Sequence, residues 1–274
     1  MYVSVAVMDT GIFRHMDFDT RIAGFADFVG RKKYLYDDNG HGTHVAGIIA
    51  GSGKGSNGKY RGIAPDTFLV SVKVLDKSGN GKIENVVEAA GWIIENKSAM
   101  NIRVVNISFG TRAKMENGPA IETGEDDYAL IMAVEKIWDS GIVVVAAAGN
   151  NGPGNASVTA PGISKKIITV GAFDDKNFFS GRGPTRECIV KPEVVVTGSN
   201  IIACNNHQGR YSSKSGTSMA APVVSGAVAR LIKNNPDITP KEVKIWMKSC
   251  CKKINVPSEK QGWGVLDIRK FVTG

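Results

Sequence analysis

Short apolar runs alternate with helix-patterned stretches along most of the chain. Val3 to Met8, Phe68 to Leu75, Arg103 to Ser108, Ile142 to Ala148 and Ile167 to Val170 are rich in aliphatic, largely β-branched residues and show little polar alternation. Runs of this kind are what strands covered on both faces look like. Between them, Lys82 to Asn96 and Asp126 to Asp139 place their apolar residues at helical intervals. Buried strands alternating with helices predict an α/β fold, three-layered and doubly wound around a mostly parallel sheet, with loop chemistry at the carboxyl ends of the strands.

Several boundaries have a local cause. Thr239-Pro240-Lys241-Glu242 combines an N-cap threonine, a proline at the first helical position and a glutamate three residues after the cap, which predicts a helix running toward Cys251. The acidic run Glu125-Asp126-Asp127 suits the start of a helix, where negative charge complements the dipole. Gly51 to Gly62 and Thr111 to Gly124 read as exposed loops. With 274 residues, 42% of them hydrophobic, and no internal repeat, a single domain over residues 1–274 is expected. No apolar window reaches membrane-spanning length, and no charged leader or cleavage signal precedes the first strand.

Thirty-four Lys and Arg against 26 Asp and Glu give a formal charge of +8. The excess is concentrated in residues 241–274, where Lys241, Lys244, Lys248 and Lys252 recur at helical spacing. That pattern reads as a solvated helix face, and without interleaved aromatic residues neither nucleic acid nor membrane is expected as a partner. Four cysteines stand at 188, 204, 250 and 251. No CxxC pair suggests zinc or redox work, so free thiols in a reducing, cytoplasmic setting are expected, with a Cys188 to Cys204 bridge as the open alternative.

Candidate chemistry is concentrated in four places. Asp9 follows an apolar strand and precedes a Gly turn, so its carboxylate is expected at a strand's carboxyl end, partly buried; taken alone it also reads as a plain turn residue. His41 stands before the small-residue helix from His44 to Ala50. Its spacing to His44 would suit two metal ligands, but a third ligand and an HExxH-type glutamate are missing, so no metal is expected there. Ser218 leads into a helix built almost wholly of small residues, where unpaired amides and the helix dipole favour a developing oxyanion; read alone, Thr217 or Ser218 is an N-cap. Asn150 follows the strand ending at Ala148, where an amide NH can donate to the same oxyanion. Carboxylate, imidazole, hydroxyl and amide together are the parts of an activated serine nucleophile.

In these residues, and in the motifs Asp9-Thr10-Gly11, His41-Gly42-Thr43-His44 and Gly216-Thr217-Ser218-Met219-Ala220, the chain resembles the subtilisin-like serine proteases. The order Asp, His, Ser is the subtilisin order. The likeness extends to Gly262-Trp263-Gly264, and Gly58 to Pro65 looks most similar to the intracellular alkaline protease branch. The resemblance implies a parallel sheet of about seven strands and endopeptidase activity. It further implies that Ser218 is the nucleophile, His41 the base and acid, Asp9 the orienting carboxylate and Asn150 the oxyanion donor. A polypeptide substrate would lie extended between Ser108-Phe109-Gly110 and Gly79-Asn80-Gly81. Ala147, Ala148 and Gly149 would wall the pocket for the residue before the cut bond, with Thr159 at its floor where relatives often carry glycine. Ile83, Val86 and Phe109 would form an apolar pocket further along, and Ala160-Pro161 would be cis.

Departures from the family pattern shape the remaining expectations. Asp17 matches one calcium ligand of extracellular relatives, yet the stretch after the His41 helix carries Lys54, Lys59 and Arg61 and few acids. Catalysis itself is expected to need no cofactor. No propeptide precedes Asp9, which points to a processed start, a propeptide or inhibitor supplied in trans, or unaided folding. The alternative to a cytoplasmic protein is a secreted mature form. The alternative to an enzyme is a non-catalytic peptide-binding or regulatory protein of the same fold.

Overall fold

The computed structural model describes residues 2–111, 124–185 and 187–273. In chain order the elements are β1 Ser4–Asp9, β2 Ile22–Asp27, α1 His41–Ala50, β3 Phe68–Lys73, α2 Ile83–Asn96, β4 Ile102–Ile107, α3 Glu125–Asp139, β5 Val143–Ala147, β6 Ile168–Ala172 and β7 Val194–Val196. Then follow β8 Ile201–Cys204, β9 Tyr211–Lys214, α4 Thr217–Asn234, α5 Pro240–Ser249, β10 Cys251–Lys252, α6 Ser258–Gln261, β11 Val265–Leu266 and α7 Ile268–Thr273. The loop expected over Thr111 to Gly124 lies largely outside the described residues.

A nine-stranded sheet runs in the order β10-β11-β7-β6-β5-β4-β1-β3-β2. From β2 to β11 every neighbouring pair is parallel, and the two-residue β10 closes the edge antiparallel. The expected seven parallel strands are therefore present, extended by two short ones. β8 and β9 pair only with each other, as an antiparallel hairpin.

Strand side chains alternate between two cores, as the pleat requires. Val5, Val7, Val104, Val143 and Val145 face the layer of α1 and α4, while Ala6, Met8, Val105, Val144 and Ala146 face α2 and α3. Both faces are covered, which explains why these strands read as unbroken apolar runs. The chain order reverses at β1, between β3 and β4, and the carboxyl ends of β1, β4 and β5 lie on one side of the sheet, where such a reversal leaves a crevice.

Two local features bring α1 and α4 close to that crevice. A Cβ at Gly42 would stand 2.1 Å from the Gly11 carbonyl oxygen, so only glycine lets α1 meet the turn after β1. Gly216 before α4 has φ +148°, a conformation that L side chains rarely adopt. Helix α1 begins at His41 itself, three residues earlier than the small-residue run suggested. α5 carries the expected capping box between Thr239 and Glu242, and Ala160-Pro161 is cis. Among the described residues no helix is long and apolar enough to cross a membrane, and all four cysteines are free.

Candidate active site

Asp9 ends β1 with no exposed surface, more deeply buried than expected. The His41 Nδ1–H donates to its two carboxylate oxygens at 2.8 and 2.9 Å. A carboxylate only accepts, so the ring proton sits on Nδ1 and leaves Nε2 as the basic nitrogen. Burial disfavours the charged ring, but the charge and hydrogen bond of Asp9 outweigh it, and the His41 pKa lies above the ordinary histidine value. His44 turns elsewhere: its Nε2–H points to the carbonyls of Ile201 and Ser212 at 3.1 and 2.9 Å. The two histidines thus have different partners and do not share a metal position.

Ser218 is the second residue of α4, within the first turn, where backbone amides lack an intrahelical acceptor. Its hydroxyl donates to the Ser108 carbonyl at 2.8 Å, so in this rotamer it does not donate to His41. Hydrogen bonds between nucleophile and base are often looser before substrate arrives. Pro222 has no amide hydrogen, which frees the Ser218 carbonyl four residues earlier. The Ser108 hydroxyl donates to that carbonyl at 3.0 Å. Behind it, Asn106 Nδ2 donates to Ser108 Oγ at 2.9 Å, and the Ser225 hydroxyl donates to Asn106 Oδ1 at 2.8 Å. A buried polar chain from the middle of α4 therefore holds the turn that carries Ser218.

Asn150 follows β5, and its Oδ1 accepts both the amide and the hydroxyl of Thr217 at 3.0 Å. Only the amide oxygen can accept two donors, so Nδ2 is the end left to face the crevice. Local sequence marks Thr217 only as a cap; its role as the anchor of Asn150 depends on a contact across 67 residues.

A cavity of about 400 Å³ adjoins Ser218 and is bordered by Ala147, Gly149, Asn150, Phe109, Gly110 and Thr159. Ala148 does not border it; the residue is fully buried, with its amide on Val170 O and its carbonyl taking the Thr159 amide. Thr159 closes the cavity between two glycines, and a Cβ at Gly110 or Gly149 would fall 2.3 or 2.6 Å from its hydroxyl oxygen. Among the described residues the buried Thr159 Oγ1 has no hydrogen-bond partner. A larger groove of about 1080 Å³ continues from there, edged by Gly79, Asn80, Gly81 and Gly110 and floored by Ile83, Val86 and Phe109.

The calcium position implied by Asp17 is built for a different purpose. Gly55 N and Tyr211 Oη donate to Asp17 Oδ1 at 2.9 and 3.0 Å. Gly53 N, Tyr211 Oη and the Cys204 thiol approach Oδ2 at 3.1, 2.9 and 3.5 Å. Arg21 donates to the Asp17 carbonyl. The loop after α1 presents amide hydrogens here, whereas calcium requires several converging oxygens. A ring nitrogen of His15, an Asp17 oxygen and Cys204 Sγ lie within 4.8 Å of one another, but the carboxylate is engaged by donors and the thiol is pushed well above its ordinary pKa by burial. These residues do not fit a bound cation.

Comparison with known proteins bears on this geometry. The family model described as the subtilase family matches residues 2–264. Serine protease AprX of Bacillus subtilis (strain 168) is 42% identical over 274 residues, covering 90% of this chain. The match takes in 60% of AprX, so the chain spans less than two thirds of that relative's length. Subtilisin DY of Bacillus licheniformis is 35% identical over 244 residues, covering 88% of this chain and 81% of that protein. Among solved structures, a cold adapted subtilisin-like serine proteinase superposes with a TM-score of 0.76 at 31% identity, over 96% of this chain and 86% of that one. Sphericase superposes with a TM-score of 0.80 at 26% identity, over 96% and 90%.

Proposed function

The chain belongs to the subtilase family, and from that premise we propose that it is a serine endopeptidase working through an acyl-enzyme on Ser218. The Ser218 hydroxyl turns from Ser108 O toward His41 and attacks the scissile carbonyl carbon while Nε2 of His41 takes its proton. Asp9 holds the resulting imidazolium through Nδ1. Asn150 Nδ2 and the Ser218 amide donate to the oxyanion, aided by the positive end of α4. His41 then returns the proton to the leaving amine, and water repeats the sequence to free the acid.

The single observation that carries this reading is the Asp9 to His41 contact, which leaves Nε2 as the free base; Ser218 and Asn150 border one cavity. It disfavours a purely peptide-binding role, because binding alone needs no buried carboxylate on an imidazole. The substrate is a polypeptide held in extended form between residues 108–110 and 79–81. Thr159 limits the depth of the first pocket, which suits a short residue before the cut bond. Free thiols suit a reducing compartment.

Labelling with a fluorophosphonate probe, joined to cleavage of a mixed peptide library, tests the reading. Wild-type protein is expected to label and to cut, and Ser218→Ala to do neither. A wild-type protein that stays unlabelled, or a Ser218→Ala variant that labels equally, overturns it.

A further inference from the structure

Asp37 lies outside the four groups assigned above, yet it joins the elements that carry two of them. Its buried Oδ1 accepts the Thr10 hydroxyl at 2.9 Å and the amides of Asn39 and Gly40 at 3.0 and 2.8 Å. Its Oδ2 accepts the amide and hydroxyl of Thr43 at 2.9 and 2.6 Å. The Thr10 hydroxyl in turn accepts the Gly42 amide at 2.9 Å. Thr10 adjoins Asp9, while Gly40 and Gly42 flank His41. Three of the four residues adjoining Asp9 and His41 in the chain, Thr10, Gly40 and Gly42, are thus tied, directly or through Thr10, to one carboxylate.

Resting on the protease reading, we infer that Asp37 is a positioning residue that sets the separation and orientation of Asp9 and His41. The argument is geometric first. Gly40 caps α1 with no side chain of its own, and the Thr43 amide is one of the first-turn donors a helix leaves unpaired. Asp37 satisfies it from outside the helix and binds the end of β1 with the same group. The frame is stiffened by Lys73, almost fully buried, which donates to Thr10 O at 2.6 Å, to Leu75 O at 2.9 Å and to Asp38 Oδ1 at 2.7 Å. Misplacing a reacting group by about 1 Å costs roughly a hundredfold in rate, so a rigid link between β1 and α1 has a direct catalytic consequence.

Electrostatics adds a second readout. The charged groups facing His41 are Asp9 from β1, Asp37 from the loop before α1, Lys214 from β9 and, one turn along α1, His44. Burial and Lys214 oppose protonation of His41, whereas Asp9 and then Asp37 favour it. Removing the charge of Asp37 therefore moves the acid limb of the pH profile to lower pH, since less negative charge stabilises the imidazolium. Loss of a merely structural bond would not move that limb.

The test compares wild-type, Asp37→Asn, Asp37→Glu and Thr43→Val on one chromogenic peptide, with kcat and KM read separately across pH and folding checked by thermal melting. For Asp37→Asn the expected result is a kcat lower by roughly ten- to a hundredfold, a KM within about twofold of wild-type, and an acid limb at lower pH, with partial recovery in Asp37→Glu. Thr43→Val keeps the charge and is expected to lower kcat less, with the limb unmoved. A folded Asp37→Asn with wild-type kcat and limb overturns the inference, as does a lower melting temperature with kcat intact. If Asp37→Asn does not fold, Thr43→Val decides: a wild-type kcat overturns the inference, a lower kcat at unchanged KM supports it. A wild-type protein that neither cuts nor labels overturns the protease reading instead, which separates the two failures.

Discussion

At the scale of single residues, the site depends on which hydrogen-bonding groups each side chain has left to offer. Asn150 illustrates this: Thr217 occupies its oxygen, so only the NH2 end can serve an oxyanion. Asn150→Ala is expected to lower kcat by roughly 10²–10³ with little change in KM, the loss known for subtilisin's own oxyanion asparagine. Steady-state kinetics on a short peptide checks it, and a KM effect without a kcat effect would assign Asn150 to ground-state binding. The positions of Asp9, His41, Asn150 and Ser218 were legible from strand ends and helix starts, because those features are local. The partners of Ser218 and Asn150 were not. Ser108 and Thr217 act through contacts across 110 and 67 residues, and no spacing rule reveals them.

At the scale of elements, the β8–β9 hairpin is where sequence patterning was silent and the fold is most particular. Its strands are short and partly exposed, so neither alternation nor an apolar run marks them. His44 ties the hairpin to α1 by donating to a carbonyl of each strand, beside the packing of Ala203 and Cys204 on that helix. Among the described residues the buried Nδ1 of this ring has no partner. Burial, the largest influence, pushes the His44 pKa down to about 4. The folded protein therefore binds fewer protons than the unfolded chain between pH 6.5 and about 4, and stability falls as pH falls through that window. The full drop is worth roughly 3 kcal/mol. Urea unfolding at pH 7 and pH 4.5 is expected to show this loss, and His44→Gln, which can donate but does not titrate, to reduce it. An unchanged pH slope in that variant would place the acid sensitivity elsewhere. By contrast α2, α3 and α5 were visible in the sequence to within a residue or two, since their periodicity and caps lie within each segment.

At the scale of the whole molecule, the N-terminal segment, the loop after α1 and the β8–β9 hairpin meet at Asp17. Amides, a phenol and a thiol surround its carboxylate there, and a cation would have to displace these donors. A chelator is expected to leave the melting temperature of the wild-type protein unchanged, while Asp17→Asn lowers it by several degrees, within the range set by losing a buried charged hydrogen-bond acceptor. A chelator-induced fall in the wild-type protein that calcium reverses and Asp17→Asn abolishes would refute this. The sequence by itself determined the layered α/β architecture and the residue types at the strand ends, because unbroken apolar runs and glycine turns act within a few residues of themselves. Tertiary structure alone decided which donors fill Asp17, which end of Asn150 faces the crevice and how Asp37 ties Asp9 to His41. Those outcomes depend on groups far apart in the chain, and buried polar atoms take whichever partners the packed fold brings to them.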